Sequence, residues 1–413
     1  MEEDSRAMMP IRQHARTFDR LTVLEVSFLI FGKMLNAMST IEPLDELAKR
    51  GHDVILVAPR VPNFREPNES YKLKLQLILI RRLTPVLSLI YFCARSYWQV
   101  LRLVSILDCL IADSNFFPLL LPIAILRHVT GHRPALFLRI QSTPIETGGK
   151  AESFLRLFFF GLAVRLAAIF ADKILFISPA MAQVCGHEFS IPESKLAISS
   201  SPVGPQFFRD ARPSETGGLR RELGLSSKRT VLHHGVLTAG RGIMELVNAF
   251  NILKTEMPSV ILVLLGDGPL VEEIKRYIET NRLEDVVKLH GPVGYNQVPN
   301  YIAACDVEII PLPDHPWWRY QCPTKLLECL AMNKPVIVSN IPASRWILGD
   351  VAGALFLRGT RPHQIADGVR LFFATRKNVN PKLGREIALR FSAQKIAESL
   401  EGDILSILQG QIT

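Results

Sequence analysis

The sequence predicts an α/β protein built from two parallel, doubly wound domains that face each other across a cleft. Three observations predict it. Short apolar runs closed by turn residues alternate with segments of helical periodicity over residues 21–205, and the same rhythm returns over 229–390. A stretch rich in Pro, Gly and Ser, residues 206–228, separates the two series and reads as a linker. Runs such as VILVLL at 260–265 are apolar throughout, which suits a strand of a parallel sheet covered by helices on both faces.

Residues 1–20 are mixed in charge without an apolar core, so they read as a flexible tail and not as a signal peptide. LTVLEVSFLI is then a strand, followed by a helix that stops at Lys49-Arg50-Gly51. DVILVAP, YKLKLQLILI, CLIAD, ALFLRI and KILFIS continue the strands, with a long apolar helix from about Glu152 to Phe170 before the last of them. In the second series TVLHHG at 230–235 leads to a helix on which Ile243, Leu246, Val247, Phe250 and Leu253 share a face. VILVLL ends in GDGP, and Pro269 suits the first turn of the following helix, where Leu270, Ile274, Tyr277 and Ile278 align. VVKLHG, a helix near Gln297–Ala304, DVEIIPL, a helix near Thr324–Met332, PVIVS, a short helix and GALFL complete the domain.

With 413 residues, 48% of them hydrophobic and 21% charged, the chain has core enough for about two domains. The six cysteines, Cys93, Cys109, Cys185, Cys305, Cys322 and Cys329, lack CxxC spacing and read as reduced, packed thiols of a cytoplasmic protein. No uncharged apolar run approaches the ~18 residues of a spanning helix, so the expectation is a soluble protein or one peripheral to the inner face of the cytoplasmic membrane.

The net charge is +9, and its bias is local: residues 70–107 contain no acid but carry Lys72, Lys74, Arg81, Arg82, Arg95 and Arg102 among aliphatic and aromatic side chains. That mixture suits a membrane surface, where apolar groups enter the interface and guanidinium meets anionic headgroups. A core helix with a solvated basic edge is the alternative. Nucleic acid suits it least, and no nucleic-acid partner is expected.

The second domain offers an anion site. Arg241-Gly242 follows the loop after TVLHHG, and Gly242 opens a helix, so a guanidinium and free N–H groups point to one strand end; a surface arginine is the alternative. In PTKLLECLAMNKPVIVS, Pro323 starts a helix and Lys325 stands in its first turn, where a cation opposes the helix dipole unless an anion binds. Glu328 sits among Leu326, Leu327, Cys329, Leu330 and Ala331, so its carboxylate needs a partner, either a structural Lys or Arg or the hydroxyls of a ribose. No Asp-x-Asp pair stands after a strand to hold a metal, and no metal or cofactor is expected.

HGVLTAGRGIMELVNAF, ILVLLGDGP, VVKLHGPVGYNQVPNYIAACDVEIIPL and PTKLLECLAMNKPVIVS together cover nearly all of residues 230–340. In that order they resemble the family-4 retaining glycosyltransferases, the glycosyl transferases group 1 type. The first half matches only in outline, through GHDVILV and ADKILFIS. The resemblance implies a GT-B fold of two Rossmann-like domains, with a last helix, about Ile396–Leu408 within residues 391–413, crossing back onto the first. It implies a nucleoside-diphosphate sugar as donor, a glycan or lipid-linked acceptor, and retention of configuration without a metal or a covalent protein intermediate. By motif, Glu328 resembles the ribose-binding glutamate and Arg241 the diphosphate-binding base beside Gly235 and Gly242. His290, Gly291, Pro292 and Val293 resemble the loop that touches the nucleobase, and Pro323, Thr324, Lys325 and Leu326 the stretch that approaches the sugar and distal phosphate. Arg241 and Lys325 would stabilise the leaving diphosphate.

The sequence departs from that pattern in two places. Val236 stands where the family often has Arg, and Tyr320 where it has the first glutamate of a pair. Tyr320 closes an aromatic, basic loop with His315, Trp317, Trp318 and Arg319 that would line the sugar site or serve as a surface or interdomain loop. On the acceptor side, Arg139 and Gln141 occupy the strand end where some members have a His, and Ser27–Met34 carries Gly32 and Lys33 with one glycine in place of two. The alternatives are a non-catalytic relative that binds a glycan or protein, and a sugar-nucleotide epimerase on the same fold. An NAD-linked dehydrogenase is disfavoured, because no G-x-G-x-x-G follows the first strand of either half.

Overall fold

The computed structural model describes residues 19–28, 38–60, 71–79, 85–130, 134–142, 150–210, 213–349, 354–375 and 381–410. The first series of strands and helices is β1 (Thr22–Val26), α1 (Met38–Lys49), β2 (Asp53–Arg60), β3 (Lys74–Leu79), α2 (Pro85–Leu103), β4 (Cys109–Asp113), α3 (Leu121–Thr130), β5 (Ala135–Ile140), α4 (Lys150–Phe170), β6 (Lys173–Phe176), α5 (Pro179–Glu188) and β7 (Leu196–Ile198). These strands form one parallel sheet in the order β3-β2-β1-β4-β5-β6-β7. Every residue of β5 is buried, as an apolar strand covered on both faces requires.

The second series is α6 (Pro213–Glu222), β8 (Arg229–His234), α7 (Ile243–Glu256), β9 (Val260–Leu265), α8 (Val271–Asn281), β10 (Val287–Gly291), α9 (Val298–Ala304), β11 (Val307–Ile310), α10 (Pro316–Arg319), α11 (Thr324–Ala331), β12 (Val336–Ser339), α12 (Pro342–Leu348), β13 (Ala354–Leu357), α13 (Pro362–Thr375), α14 (Pro381–Leu389) and α15 (Ala393–Gly410). Its parallel sheet has the order β10-β9-β8-β11-β12-β13. All strands stay parallel, but the order in which they are added to each sheet reverses once, between β1 and β4 and between β8 and β11. Crevices at the carboxyl ends of such strands are where open α/β sheets take ligands.

The last helix crosses back onto the first domain. Ala397, Leu400, Ile404 and Leu408 of α15 join Ile41, Leu44 and Leu47 of α1 in one buried cluster. Burying a Leu or Ile side chain is worth roughly 1.5–3 kcal/mol, so this contact is a substantial tie between the chain's end and its first domain. Glu401 adds polar links, to Arg50 Nε at 2.7 Å and His52 Nε2 at 2.9 Å. The return path begins where Val203 N donates to Phe391 O at 2.8 Å.

The structure adds two local details. Within the stretch 206–228, α6 is helical despite Gly217 and Gly218. Pro213 suits its first turn, and Arg220 near its end donates to the carbonyls of Ala304, Leu225 and Lys228 at 2.7–2.8 Å, which fixes the helix to the second domain. The long apolar helix α4 is only half a core helix: Phe160, Ala163, Val164 and Ala167 are buried while Leu157, Phe158, Phe159 and Ile169 stand exposed.

Candidate active site

The site begins with two histidines at the end of β8. His233 and His234 point to opposite faces of the sheet, as successive strand residues do, and both are buried. His234 lies between two carboxylates: Nδ1 is 3.0 Å from Glu308 Oε1 of the neighbouring β11, and Nε2 is 2.8 Å from Glu328 Oε2 of α11. Burial by itself would lower the imidazole pKa, but Glu308 and Glu328 outweigh it and raise it to about 9. His234 is therefore an imidazolium at neutral pH, donating from both nitrogens and balancing one of its two glutamates. Tyr295 donates its hydroxyl to the second oxygen of Glu328, Oε1, at 2.9 Å. Within the protein, Glu328 is partnered by a histidine and a tyrosine, not by a structural Lys or Arg.

Lys325 and Arg241 form the cationic half of the site. Lys325 lies one turn before Glu328 on α11, and its Nζ is 3.2 Å from His233 Nε2. The other nitrogen of His233 sits 2.8 Å from the Ile309 carbonyl. Burial, then the charge of Arg241, lowers the Lys325 pKa to about 8. Burial, then Lys325, likewise holds His233 well below its ordinary value, so it stays neutral. Arg241 is half-buried, its guanidinium carbon 4.9 Å from the centre of the Trp318 ring. Trp318 is held in turn by a 2.7 Å hydrogen bond from Nε1 to the Gly240 carbonyl. Buried Nε of Arg241 has no hydrogen-bond partner. Among the described residues, neither Arg241 nor Lys325 has a carboxylate within ion-pair distance.

Both cations stand at helix starts that lack a side-chain cap. Gly242 caps α7 and Pro323 caps α11, each without a side-chain hydrogen bond, so the first N–H groups of both helices are free for an anion. Glycine is required at two of these positions. At Gly235 φ is +111°, and a Cβ would sit 2.6 Å from Lys325 Cε, so the ammonium could not lie over the strand end. At Gly242 φ is +72°, and a Cβ would run into the Pro311 carbonyl.

The loop after β10 flanks this cluster. Gly291 accepts from Gly266 N at 2.9 Å, which ties the loop to the end of β9. Pro292 is exposed and Val293 half-buried. His290 is not aimed at the cluster; its Nε2 pairs with the Tyr301 hydroxyl at 3.0 Å. Tyr295 follows in a single 3-10 turn, Tyr295–Gln297, with its ring 5.4 Å from that of Phe207.

The structure therefore brings Gly235, Arg241, Gly242, Pro323, Thr324, Lys325, Leu326 and Glu328 to one strand-end cluster, with Gly291, Pro292 and Val293 at its side. Leu326 is fully buried and serves the core. Tyr320 marks the seam between domains: Ser178 Oγ, which also caps α5, donates to the Tyr320 carbonyl at 2.6 Å. The aromatic turn thus runs from the Arg241 guanidinium to the first domain. Arg139 is placed differently from the acceptor role expected of it. It is buried, donating to Glu25 Oε2 and Ser199 Oγ at 2.9 Å each, and so serves as a structural ion pair. Gln141 donates to Thr40 Oγ1 at 2.9 Å and braces the start of α1. Gly32 and Lys33 lie outside the described residues.

Sequence reasoning missed His233, His234, Glu308 and Tyr295. The one available signal was adjacent titratable residues at the end of an apolar strand, beside a switch point.

Two parallel sheets and a return helix give the chain the GT-B architecture. The chain is a glycosyltransferase: residues 228–374 match the family model described as glycosyl transferases group 1. It is 22% identical over 299 residues to alpha-D-kanosaminyltransferase of Streptomyces kanamyceticus, a stretch that is 71% of each chain. It is 24% identical over 251 residues to the GDP-mannose-dependent alpha-(1-6)-phosphatidylinositol monomannoside mannosyltransferase of Mycobacterium tuberculosis, covering 56% of this chain and 62% of that one. Anabaena Alr3699/HepE, solved in complex with UDP and glucose, superposes with a TM-score of 0.72 at 16% identity, over 94% of this chain and all of that one.

Proposed function

We propose that the protein transfers a sugar from a nucleoside-diphosphate sugar to a glycan or lipid-linked acceptor, with retention of configuration and without a metal. The observation that carries this reading is the pair Arg241 and Lys325, two cations with no carboxylate within ion-pair distance among the described residues, at two helix starts without a side-chain cap. Holding two like charges together in a partly dry site is costly unless a polyanion joins them. A diphosphate supplies that charge, and more of it as the glycosidic bond breaks, so both cations bind most strongly when the leaving group departs. In this reading the bond from the anomeric carbon to the diphosphate oxygen breaks, the acceptor oxygen bonds to the same face of that carbon, and the acceptor proton passes to the departing diphosphate. Glu328, held in place by His234, accepts hydrogen bonds from the ribose hydroxyls. The UDP of the Anabaena structure and the GDP-mannose of the mycobacterial relative's name support this donor class.

The acceptor reading adds the outer surface of the first domain. Leu89, Ile90, Trp98 and Leu101 of α2, Ile125 and Leu126 of α3, and Phe158 and Phe159 of α4 are exposed, and Arg102 lies 5.3 Å from the Trp98 ring centre. Exposed apolar side chains on these helices, with the exposed Arg95 and Arg102 beside those of α2, suit peripheral docking on an anionic bilayer such as the inner face of the cytoplasmic membrane. Among the described residues no helix is long and apolar enough to cross a membrane.

The test is a panel of sugar nucleotides read by thermal shift and by hydrolysis together, followed by acceptor trials with the best donor. Stabilisation and turnover by one donor class are expected. No stabilisation by any sugar nucleotide overturns the reading, and binding without turnover across a wide acceptor panel makes the protein a non-catalytic relative.

A further inference from the structure

The carboxylate assigned above to the ribose is already occupied, and its two oxygens are occupied differently. Glu328 Oε2 belongs to His234, which is buried and clamped from its other side by Glu308. That contact is part of the fixed frame. Glu328 Oε1 belongs to the Tyr295 hydroxyl, which reaches it from a half-exposed turn at the edge of the cleft. Pro292, Gly294, Asn296 and Gln297 around that tyrosine are exposed, while Tyr295 itself packs at the edge of the core cluster.

We propose that Tyr295 is a removable stand-in for the donor's ribose, satisfying Glu328 with a hydroxyl when the site is empty and yielding that place when a nucleoside binds. The inference rests on the reading of Glu328 as the ribose acceptor. The chemistry of the exchange is matched, since a phenol O–H and a ribose O–H are both single neutral donors to the same carboxylate oxygen. A buried carboxylate left without its donor is costly, which is why an empty site holds a substitute. The tyrosine is also tied to the rest of the molecule. Its ring packs edge-on against Phe207, a buried residue of the Pro205–Phe208 turn between the domains. Ribose entry at Glu328 therefore has to move a residue that touches both the base-side loop and the interdomain segment. A ligand with no hydroxyl to offer, such as inorganic pyrophosphate, leaves Tyr295 in place and produces no such movement. The device thus distinguishes nucleotides from bare polyphosphates at the cost of some donor affinity.

The experiment compares the full-length wild type with Tyr295→Phe and Glu328→Ala, titrating each calorimetrically with UDP, GDP and inorganic pyrophosphate. Tyr295→Phe is expected to bind the favoured nucleoside diphosphate about 5- to 20-fold tighter than wild type, because one charge-assisted hydrogen bond no longer has to be displaced. Its pyrophosphate affinity stays unchanged, which also shows that the cationic site is folded. Glu328→Ala is expected to lose nucleoside diphosphate affinity and to keep pyrophosphate affinity. If Tyr295→Phe binds the nucleotide equally or more weakly while Glu328→Ala is impaired, the tyrosine is a fixed part of the site and the stand-in is wrong. If Glu328→Ala binds the nucleotide as wild type does, the ribose assignment itself fails and this inference falls with it.

Discussion

His234 Nε2 lies 2.8 Å from Glu328 Oε2, so the buried carboxylate of α11 is held by an imidazolium from the end of β8. The histidine stays charged in a buried place because Glu308 and Glu328 stand on its two sides. Removing the imidazole takes the cation from between two buried carboxylates, leaving Glu328 with the Tyr295 hydroxyl and Glu308 with a backbone N–H. His234→Ala should therefore destabilise the fold by about 3–5 kcal/mol and weaken donor binding along with it. Chemical denaturation and calorimetric titration of the same variant check both effects.

The same pair gives a pH dependence. The folded-state pKa of His234 is raised to about 9 from an ordinary 6.5, so its stabilisation is complete below pH 6.5 and is lost as pH rises through about 9. The loss should be on the order of 3 kcal/mol. Lys325 acts oppositely, since its lowered pKa of about 8 makes stability recover above that pH. Between pH 6.5 and 8 the histidine contributes the larger fall, and Asp113, whose carboxyl burial pushes up to about 7, adds a smaller one that fades above pH 7. Unfolding free energies should fall across this window more steeply in wild type than in His234→Asn.

Lys325 also predicts proton-linked binding. With its pKa near 8 in the empty site, a diphosphate that needs the ammonium should take up a fraction of a proton at pH 8.5 and almost none at pH 6.5. Calorimetry in buffers of different ionisation enthalpy reads that number directly. Lys325→Met should bind more weakly and show no uptake at either pH; uptake that persists in the variant would assign the proton elsewhere.

Arg241→Ala should reduce turnover by about 10²–10³-fold, the scale seen when one stabilising donor to a developing charge is removed. Arg276→Ala, an exposed arginine of α8, is the control and should stay within twofold. Trp318→Ala should fall between them, because the indole supports the guanidinium at 4.9 Å without touching a phosphate. Equal kcat values for the Arg241 and Arg276 variants would make Arg241 structural.

Gly235→Ala should harm activity more than folding. A methyl group there meets the mobile end of Lys325, not backbone, so the fold pays mainly for the positive φ, roughly 1–2 kcal/mol. The displaced ammonium should lower donor affinity at least tenfold. Gly217→Ala, where an added Cβ meets nothing, should stabilise α6 by about 0.5–1 kcal/mol. Thermal melts beside KM measurements separate the two outcomes.

The docking surface is checked by flotation with anionic liposomes. Replacing Trp98, Phe158 and Phe159 with Ser should release the protein from vesicles while leaving turnover of a soluble donor intact. Retained flotation would remove the membrane role from this face.

Much of this protein was settled by sequence alone. Apolar runs, helical faces and punctuating Gly and Pro depend on neighbours a few residues away, so the two parallel domains and the helix starts at Gly242 and Pro323 were legible in the chain. Arg241, Lys325 and Glu328 were legible too, because a charge beside a helix start or inside an apolar helix face is anomalous locally. What these residues touch was decided only by the tertiary structure. His234, Glu308 and Glu328 are brought together by strand order, β8 beside β11 with α11 laid over them, and strand order leaves no mark on local periodicity. For the same reason Arg139 could be seen as a charge at a strand end but not as the buried partner of Glu25, which is 114 residues away in the chain and held 2.9 Å from it in space.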